Sequence, residues 1–457
     1  MADSTNTLPG RASNPFVVWA IAAAIPLMLL APAIWNRYPL LQSDTGGYLA
    51  RWYEGYLVPS RSTVFGLYLH YGEHSAFWLN LAIQALATMW ILQLTLRVFG
   101  LARPWRLFSL CLVLTLTTAL PWLASMLLTD IFAGLSVLAL FLLVLFDERI
   151  STGERVALFV FIAFAAATHS ATMAILLGLC LVGWIARPFL RGRINAAPLV
   201  QGMLSIAAGA IMLLAANFAL SGHLAWTPGG FSIAFARMLE DGIVTRYLND
   251  HCPTQQFKLC PYRNELPETA DDFLWSRESV FNQLGRFKGM SDEMGYIAAH
   301  ALIEYPLWQA KDALINSSEQ MLKVASGENT DHPSLMHTYG IFREFVQHQL
   351  NLVDAARQQK GHLTFGPLNL IHVPVALFST ALVFALLIGA IIRRRMDDLT
   401  LLLATVCLAM LGNAVICGVI SGPHDRYGSR LVWITTLALM IAAMKRREGA
   451  IDRSRAA

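Results

Sequence analysis

The stretch YPLLQSDTGGYLARWYEGYLVPSRSTVFG, residues 38–66, lies between two apolar runs, and its charged residues include Asp44, Glu54 and Arg61. Each flanking run is long enough to be a membrane span, because a helical crossing needs about 20 apolar residues whose backbone groups are satisfied inside the helix. The stretch is therefore expected to be a loop, residues 36–75, that joins the first two spans at one membrane surface.

The rest of the chain has the composition of a membrane protein. Of its 457 residues, 56% are hydrophobic and 14% are charged, against about 25% charged in soluble domains. We expect an all-α polytopic protein in a lipid bilayer, with about ten transmembrane helices. The ten runs are about Phe16–Trp35, Ala76–Phe99, Leu107–Ala124, Ile131–Phe146, Val156–Thr168, Ala171–Ala186, Leu199–Leu220, Leu368–Ile392, Leu401–Ile420 and Leu431–Met444.

The fifth and sixth spans come from one apolar stretch, ALFVFIAFAAATHSATMAILLGLCLVGWIA, residues 157–186. One long kinked helix and two short helices both fit its composition. We favour two helices, because about 30 residues are too many for one crossing and His169 with Ser170 forms a polar tip.

Basic residues cluster in the short loops on one side, which is typical of cytoplasmic loops. The clusters are Arg97, Arg103 and Arg106; Arg149 and Arg155; Arg187, Arg191 and Arg193; residues 393–395; and residues 445–447. They place both termini in the cytoplasm and the chain in the plasma, or inner, membrane. The net charge of +4 is explained by this asymmetry, so we predict no nucleic-acid binding.

Residues 221–367 separate the seventh and eighth spans and differ in composition from both flanks. They contain 17 acidic and 12 basic residues, close to the charged fraction of soluble proteins. We predict a mainly helical extracytoplasmic domain between a first transmembrane module, residues 1–220, and a second, residues 368–457 with its cytoplasmic tail. One of its helices is expected to start at Ser291 as the N-cap and to stop before Pro306.

Two of the six cysteines, Cys252 and Cys260, lie in this predicted domain. In an oxidising compartment such a pair is expected to form a disulfide that closes a short loop. Zinc binding with His251 is the weaker alternative, because one histidine and two cysteines are an incomplete ligand set.

The predicted topology collects charged and polar residues at the outer ends of the spans. Solvated loop residues or structural ion pairs would account for any one of them, but two of the outer loops are very short and each still carries an acid. Charges at a membrane rim are costly without a partner or a ligand. The residues are Asp44, Glu54, Arg61, Asp130, His169, His424, Asp425, Arg426 and Arg430.

The first loop resembles that of the polytopic glycosyltransferases of the GT-C fold superfamily. In that superfamily the loop carries an acid early, then a juxtamembrane helix, then an arginine before the next span. This chain has the same order in residues 43–69, SDTGGYLARWYEGYLVPSRSTVFGLYL, with Asp44, Tyr48 and Arg61. Thr129 and Asp130 match a second acid at the start of the fourth span. The resemblance covers residues 15–220 in architecture and less in sequence.

This resemblance implies an inverting sugar transfer from a polyprenyl-phosphate donor to a glycan, lipid or protein acceptor at the extracytoplasmic face. Asp44 would be the general base, and Asp130, the second catalytic carboxylate, would orient the acceptor or share a divalent metal with Asp44. Whether Asp44 and Asp130 hold a divalent metal, Mg²⁺ or Mn²⁺, stays open. The predicted substrate and phosphate contacts are Arg61, Tyr48, His169, Arg426 and Arg430, where guanidinium groups suit phosphate oxygens.

Two functions of other classes stay open. A lipid or small-molecule transporter, or flippase, would bury ionisable groups near the membrane midplane, whereas the mid-span polar residues Gln84, Gln93, Asn217 and Asn413 are uncharged. A noncatalytic envelope-assembly protein would use the domain between spans seven and eight to bind a partner, and would tolerate the loss of Asp44.

Overall fold

The computed structural model describes residues 15–57, 59–190 and 192–456, with side chains described up to residue 450. Arg191, from one of the basic clusters, lies outside these residues. The described part is helical and contains no β-strand, apart from a single bridge between Leu40 and Met126. This agrees with the predicted all-α class.

The α-helices follow one another with short connections. In chain order they are α1 (Pro15–Leu29), α2 (Ala31–Asn36), α3 (Ser43–Leu49), α4 (Arg51–Glu54), α5 (Thr63–Gly72), α6 (Trp78–Val98), α7 (Pro104–Thr117), α8 (Leu120–Ala124), α9 (Asp130–Leu145), α10 (Thr152–Thr168), α11 (Ser170–Ala186), α12 (Ala196–Ser221), α13 (Phe231–Glu240), α14 (Ile243–His251), α15 (Ala270–Trp275), α16 (Val280–Gln283), α17 (Arg286–Glu304), α18 (Pro306–Leu322), α19 (Met336–Phe345), α20 (Leu350–Ala355), α21 (Gly366–Ile392), α22 (Asp398–Ile420) and α23 (Asp425–Ala456). Single 3-10 turns occupy Glu73–Ser75, Asp147–Arg149, Cys260–Tyr262, Pro333–Leu335 and Gln347–Gln349.

Five of these helices, α6, α12, α21, α22 and α23, are long and apolar enough to cross a membrane. Four shorter helices, α1, α7, α9 and α11, are also apolar, but at about 1.5 Å per residue each is shorter than the hydrocarbon core. The chain is therefore a helical membrane protein, and the number of ten crossings stays a prediction.

Two sequence predictions differ in detail from the observed helices. The predicted third span is interrupted after Thr117, because the Thr118 hydroxyl bonds the Leu114 carbonyl and the Leu120 amide and Pro121 follows in the next short helix. The helix expected to start at Ser291 begins at Arg286 instead, after the left-handed Gly285. It does end before Pro306.

The stretch at residues 157–186 forms two helices rather than one kinked helix. The backbone of His169 is extended, with φ −154° and ψ 120°, so it interrupts the helical hydrogen bonding between α10 and α11. This places the polar tip at a junction between two helices that contact each other.

Ion pairs join helix ends at one end of the bundle. Asp398, at the start of α22, binds both Arg149 and Arg193, at 2.8 and 3.0 Å. Two more ion pairs connect other helices at this end: Arg97 with Glu154 at 2.6 Å and Arg106 with Glu448 at 2.5 Å. The basic clusters predicted to share a side of the membrane therefore meet through these acids, and we call this the basic end.

The segment between α12 and α21 contributes to two hydrophobic cores. Residues from α13 to α17 form their own core, with Phe235, Phe273 and Phe281 fully buried. The part that follows α18 packs instead on the main bundle, where Tyr339 and Phe342 of α19 join the larger core. Consequently α19 lies directly against α3 of the first loop.

The predicted disulfide is present between Cys252 and Cys260, whose Cα atoms lie 5.6 Å apart. It closes the turn between α14 and the 3-10 turn at Cys260–Tyr262. His251 bonds Glu304 at 2.9 Å, so the alternative zinc site is wrong. The other four cysteines are buried and free.

Candidate functional site

Asp44 lies in the first turn of α3, which is held in place from both sides. The Gln42 side chain accepts from the Asp44 amide at 2.7 Å, and the Thr45 hydroxyl accepts from the Gln42 amide at 3.0 Å, which together cap the helix. A Cβ atom on Gly46 would lie 2.6 Å from the Thr338 Cα of α19. Only glycine permits this approach, so α19 determines where Asp44 sits.

Two arginines bind the Asp44 carboxylate. Arg61 donates to one of its oxygens, and Arg426 Nη1 donates to the other at 2.6 Å. The Arg61 guanidinium also lies over the Tyr48 ring, 5.7 Å from the ring centre, a favourable cation–π distance. Asp44 and Arg61 each keep 18% of their side-chain surface exposed, so this part of the site is open to solvent.

Asp130 begins α9 and is buried. It accepts from Arg426 Nε at 2.7 Å and from Nη2 at 3.3 Å, a bidentate pairing that suits a planar guanidinium. The carboxylate lies at the N-terminus of α9, near the positive end of the helix dipole. Arg426 thus bridges the two predicted acids, with a fork on Asp130 and its remaining nitrogen on Asp44.

Arg430 lies one turn after Arg426 in α23 and is fully buried. Its Nη1 is 4.0 Å from Asp130 Oδ1 and 3.4 Å from His169 Nδ1. Its Nη2 donates to Asn413 at 2.9 Å, while its Nε has no hydrogen-bond partner among the described residues. This arginine is incompletely paired, which favours a further anion nearby.

Glu328, in the loop after α18, anchors the start of α23. It accepts from the Arg426 backbone amide at 2.7 Å and bonds His424 Nδ1 at 2.9 Å. Burial by itself would raise the pKa of Glu328, but these two hydrogen bonds hold it below its ordinary value. The hydrogen bond that His424 donates to Glu328 in turn raises the pKa of His424.

We define the carboxylate–arginine cluster as Asp44, Asp130, Arg61, Arg426 and Arg430. Three guanidinium groups face two carboxylates, so the cluster carries one excess positive charge. Burial alone would raise the pKa of Asp44, but Arg61 and Arg426 outweigh it and hold the pKa at about 2. Asp44 is therefore a carboxylate with both oxygens occupied, and it is a weak base in this arrangement.

The geometry does not fit a divalent metal shared by Asp44 and Asp130. The Arg426 guanidinium occupies the position between the two carboxylates, and a cation placed there would meet a like charge. Within the part of the chain that the structure describes, no group of three or more His, Cys, Asp or Glu side chains has a metal-binding arrangement.

All seven residues predicted for the site lie in or against this cluster, although their chemical roles stay predictions. Tyr48 contacts it through Arg61, and His169 through Arg430. Glu54, which shares the first loop with Asp44, lies elsewhere and pairs with Arg51 at 3.0 Å.

Sequence reasoning missed the residues that support the arginines. Glu328 lies in a polar turn, SGENTD, with no motif around it. Asn413 and Cys417 belong to an apolar span by sequence and were not predicted for the site, yet they lie 2.9 and 3.2 Å from Arg430 Nη2. The one available signal was the amide at position 413, since a polar side chain inside an apolar helix needs a partner.

Comparison with known protein families, with curated proteins and with solved structures finds no match to this chain. The role of the site is therefore argued from its residues and their geometry.

Proposed function

We propose that this protein is an inverting membrane glycosyltransferase that moves a sugar from a polyprenyl-phosphate donor to an envelope acceptor at the extracytoplasmic face. The proposal includes ten crossings with cytoplasmic termini. The observation that carries it is the convergence of two carboxylates and three arginines from α3, α9, α23 and the loop before α5. A base and a phosphate-binding group are the two functions that such a transfer requires.

The excess positive charge of the cluster supports binding of the donor phosphate. In the free protein Arg61 and Arg426 both pair with Asp44, and Arg426 also pairs with Asp130. An arriving phosphate competes with Asp44 for Arg61 and for Arg426 Nη1, because guanidinium N–H groups bind phosphate oxygens strongly. When the arginines turn to the phosphate, Asp44 loses the contacts that lower its pKa and becomes a stronger base.

The reaction follows from this exchange. Asp44 takes the proton from the acceptor hydroxyl or amide as that atom attacks the anomeric carbon of the sugar. The bond between this carbon and the phosphate oxygen breaks, and its electron pair leaves with the polyprenyl phosphate. Arg61 and Arg426 stabilise the charge that develops on the departing phosphate. Asp130 holds the Arg426 guanidinium in position throughout.

The hydrogen bonds of three polar residues within the apolar helices do not favour a transporter. Gln84 donates to the Ala124 and Met126 carbonyls, and Asn217 donates to the Ala225 and Trp226 carbonyls. Asn413 donates to the Tyr427 carbonyl at 2.8 Å. All three amides are already paired with backbone carbonyls, so they are not free to form a substrate site at the midplane.

The test is a transfer assay with the purified chain in liposomes and a polyprenyl-phosphate-linked sugar. Asp44→Asn is expected to lower the rate by about a hundredfold or more, the usual contribution of a general base. Glu54→Gln is the matched control, because it removes an acid from the same loop outside the cluster. It is expected to keep the rate.

Two results would overturn the proposal. One is an Asp44→Asn protein that folds, inserts and transfers sugar at the unaltered rate. The other is flux of a substrate across the proteoliposome membrane with no glycosidic product from the unaltered protein, which is the behaviour of a transporter.

A further inference from the structure

A second candidate site lies toward the basic end. A half-open cavity of about 140 Å³ lies between α9, α11, α12, α22 and the loop before α12. Along α9, the lining residues Leu140–Leu145 follow Asp130 by ten residues or more, a separation of about 15–22 Å at the helical rise. The cavity is therefore separate from the carboxylate–arginine cluster.

The lining of this cavity is apolar. Thr405 is the one hydroxyl-bearing residue in it, and its hydroxyl donates to the Leu401 carbonyl of its own helix at 2.9 Å. An apolar protein cavity of about 150 Å³ stays dry and takes a ligand as large as benzene. The cavity thus has room for a segment of hydrocarbon chain and offers no free polar group.

Two arginines lie within about one helical turn of the lining residues. Arg193 immediately precedes the lining residue Ile194, and Arg149 follows Leu145 by four residues. Both bind Asp398 and keep about half of their side chains exposed, 49% and 48%. One carboxylate is shared by two guanidinium groups, so these three side chains together carry one excess positive charge.

The surface beside the mouth is apolar and exposed. Ile185 and Phe189, at the end of α11 and just after it, leave 70% and 85% of their surfaces uncovered. The adjoining helix α22 is one of those long and apolar enough to cross a membrane. Exposed apolar side chains beside arginines suit the surface of a bilayer, because acyl chains and headgroup phosphates meet there.

We propose that the cavity and the two arginines form a binding site for an anionic phospholipid. A segment of its acyl chain occupies the cavity, and its headgroup phosphate binds Arg149 and Arg193 in exchange for part of their contact with Asp398. The site is independent of the proposed glycosyl transfer, because it shares no residue with the carboxylate–arginine cluster.

The test uses the full chain purified from nanodiscs that contain equal amounts of dioleoyl phosphatidylglycerol and dioleoyl phosphatidylcholine. Lipid that stays bound is measured by native mass spectrometry. The unaltered protein is expected to retain phosphatidylglycerol about tenfold over phosphatidylcholine, since a juxtamembrane arginine contributes about that order of preference for an anionic lipid. Equal retention of the two lipids would overturn the proposal.

Two variants separate the headgroup from the chain. Arg149→Gln with Arg193→Gln is expected to abolish the preference, whereas Arg394→Gln with Arg395→Gln, the matched loss of two exposed charges after α21, should keep it. Ala404→Phe fills the cavity without a change of charge and is expected to lower retention of phosphatidylglycerol by severalfold. A preference that persists in the Arg149/Arg193 variant, or full retention in Ala404→Phe, would contradict the proposed site.

Discussion

Arg426 Nη1 donates to Asp44 at 2.6 Å although the two residues are 382 positions apart in the chain. The same guanidinium binds Asp130 at 2.7 Å. One side chain at the start of α23 therefore joins the first loop to the start of α9. The cluster can form only when the first and last parts of the helical bundle have packed together.

We expect Arg426→Gln to destabilise the protein strongly. Asp130 is 2% exposed, and it would keep only Arg430, at 4.0 Å. Removing one partner of a buried ion pair typically costs about 3–5 kcal/mol, because the remaining charge stays buried without compensation. The measurement is the thermal unfolding midpoint in detergent.

The double variant Arg426→Gln with Asp130→Asn is the control for this prediction. It removes the uncompensated charge and is expected to recover part of the lost stability. An Arg426→Gln protein as stable as the unaltered chain would show that the bridge contributes nothing to folding.

Gly46→Ala is expected to disturb the position of Asp44. The added Cβ would lie 2.6 Å from the Thr338 Cα, so α3 and α19 must separate. Overpacking of this kind costs about 1–3 kcal/mol. Gly340→Ala in α19 is the matched control, because no atom lies within 4 Å of its Cβ; it should keep or slightly raise stability. Equal thermal midpoints for the two variants would contradict the close packing.

The hydrogen bond between His424 and Glu328 predicts a pH dependence of stability. The folded pKa of His424 is raised above its ordinary 6.5, so its contribution is complete below that value and is lost as the pH rises through the raised pKa. The folded pKa of Glu328 is lowered, so its contribution is lost as the pH falls through that lowered value. The pair stabilises the fold between these limits.

This dependence is measured as the thermal midpoint between pH 6 and pH 9. Glu328→Gln should flatten the decline over this range, because the neutral amide no longer favours the charged histidine. Asp271 and Arg426 also influence the pKa of His424, so Asp271→Asn serves to separate their effect. An unchanged decline in Glu328→Gln would rule out this pair as its source.

Loss of the disulfide should weaken the separate core around α13–α17. Cys252→Ser with Cys260→Ser is expected to lower the free energy of unfolding by about 2–3 kcal/mol, because the unfolded chain regains the conformational entropy that the closed loop removes. The assay is proteolysis of the segment between α12 and α21. Cys407→Ser alters a buried free thiol outside this loop and should leave that segment as resistant as before. Equal proteolysis of the double variant would indicate that the packed helices hold this region alone.

Local patterns in the sequence were enough to predict most of the helices. The break at His169 was expected from length and from one polar pair, and it is present as an extended residue between α10 and α11. The predicted start of α17 was wrong by five residues. Ser291 is the stronger cap signal in the sequence, but the helix begins after Gly285, whose left-handed φ of 87° ends the preceding turn. Cap signals compete, and the backbone conformation of a neighbouring glycine can override them.

The amino-acid sequence by itself determined the apolar helices, the basic clusters at their ends, the cysteine pair and the identities of the charged residues in short loops. These depend on composition and on spacing within a few residues. Tertiary structure alone decided that Asp44 and Asp130 share Arg426, that Glu328 holds the start of α23, and that α19 packs on α3. Each of these contacts joins residues about a hundred to several hundred positions apart, and only the packing of the whole bundle brings them within hydrogen-bonding distance.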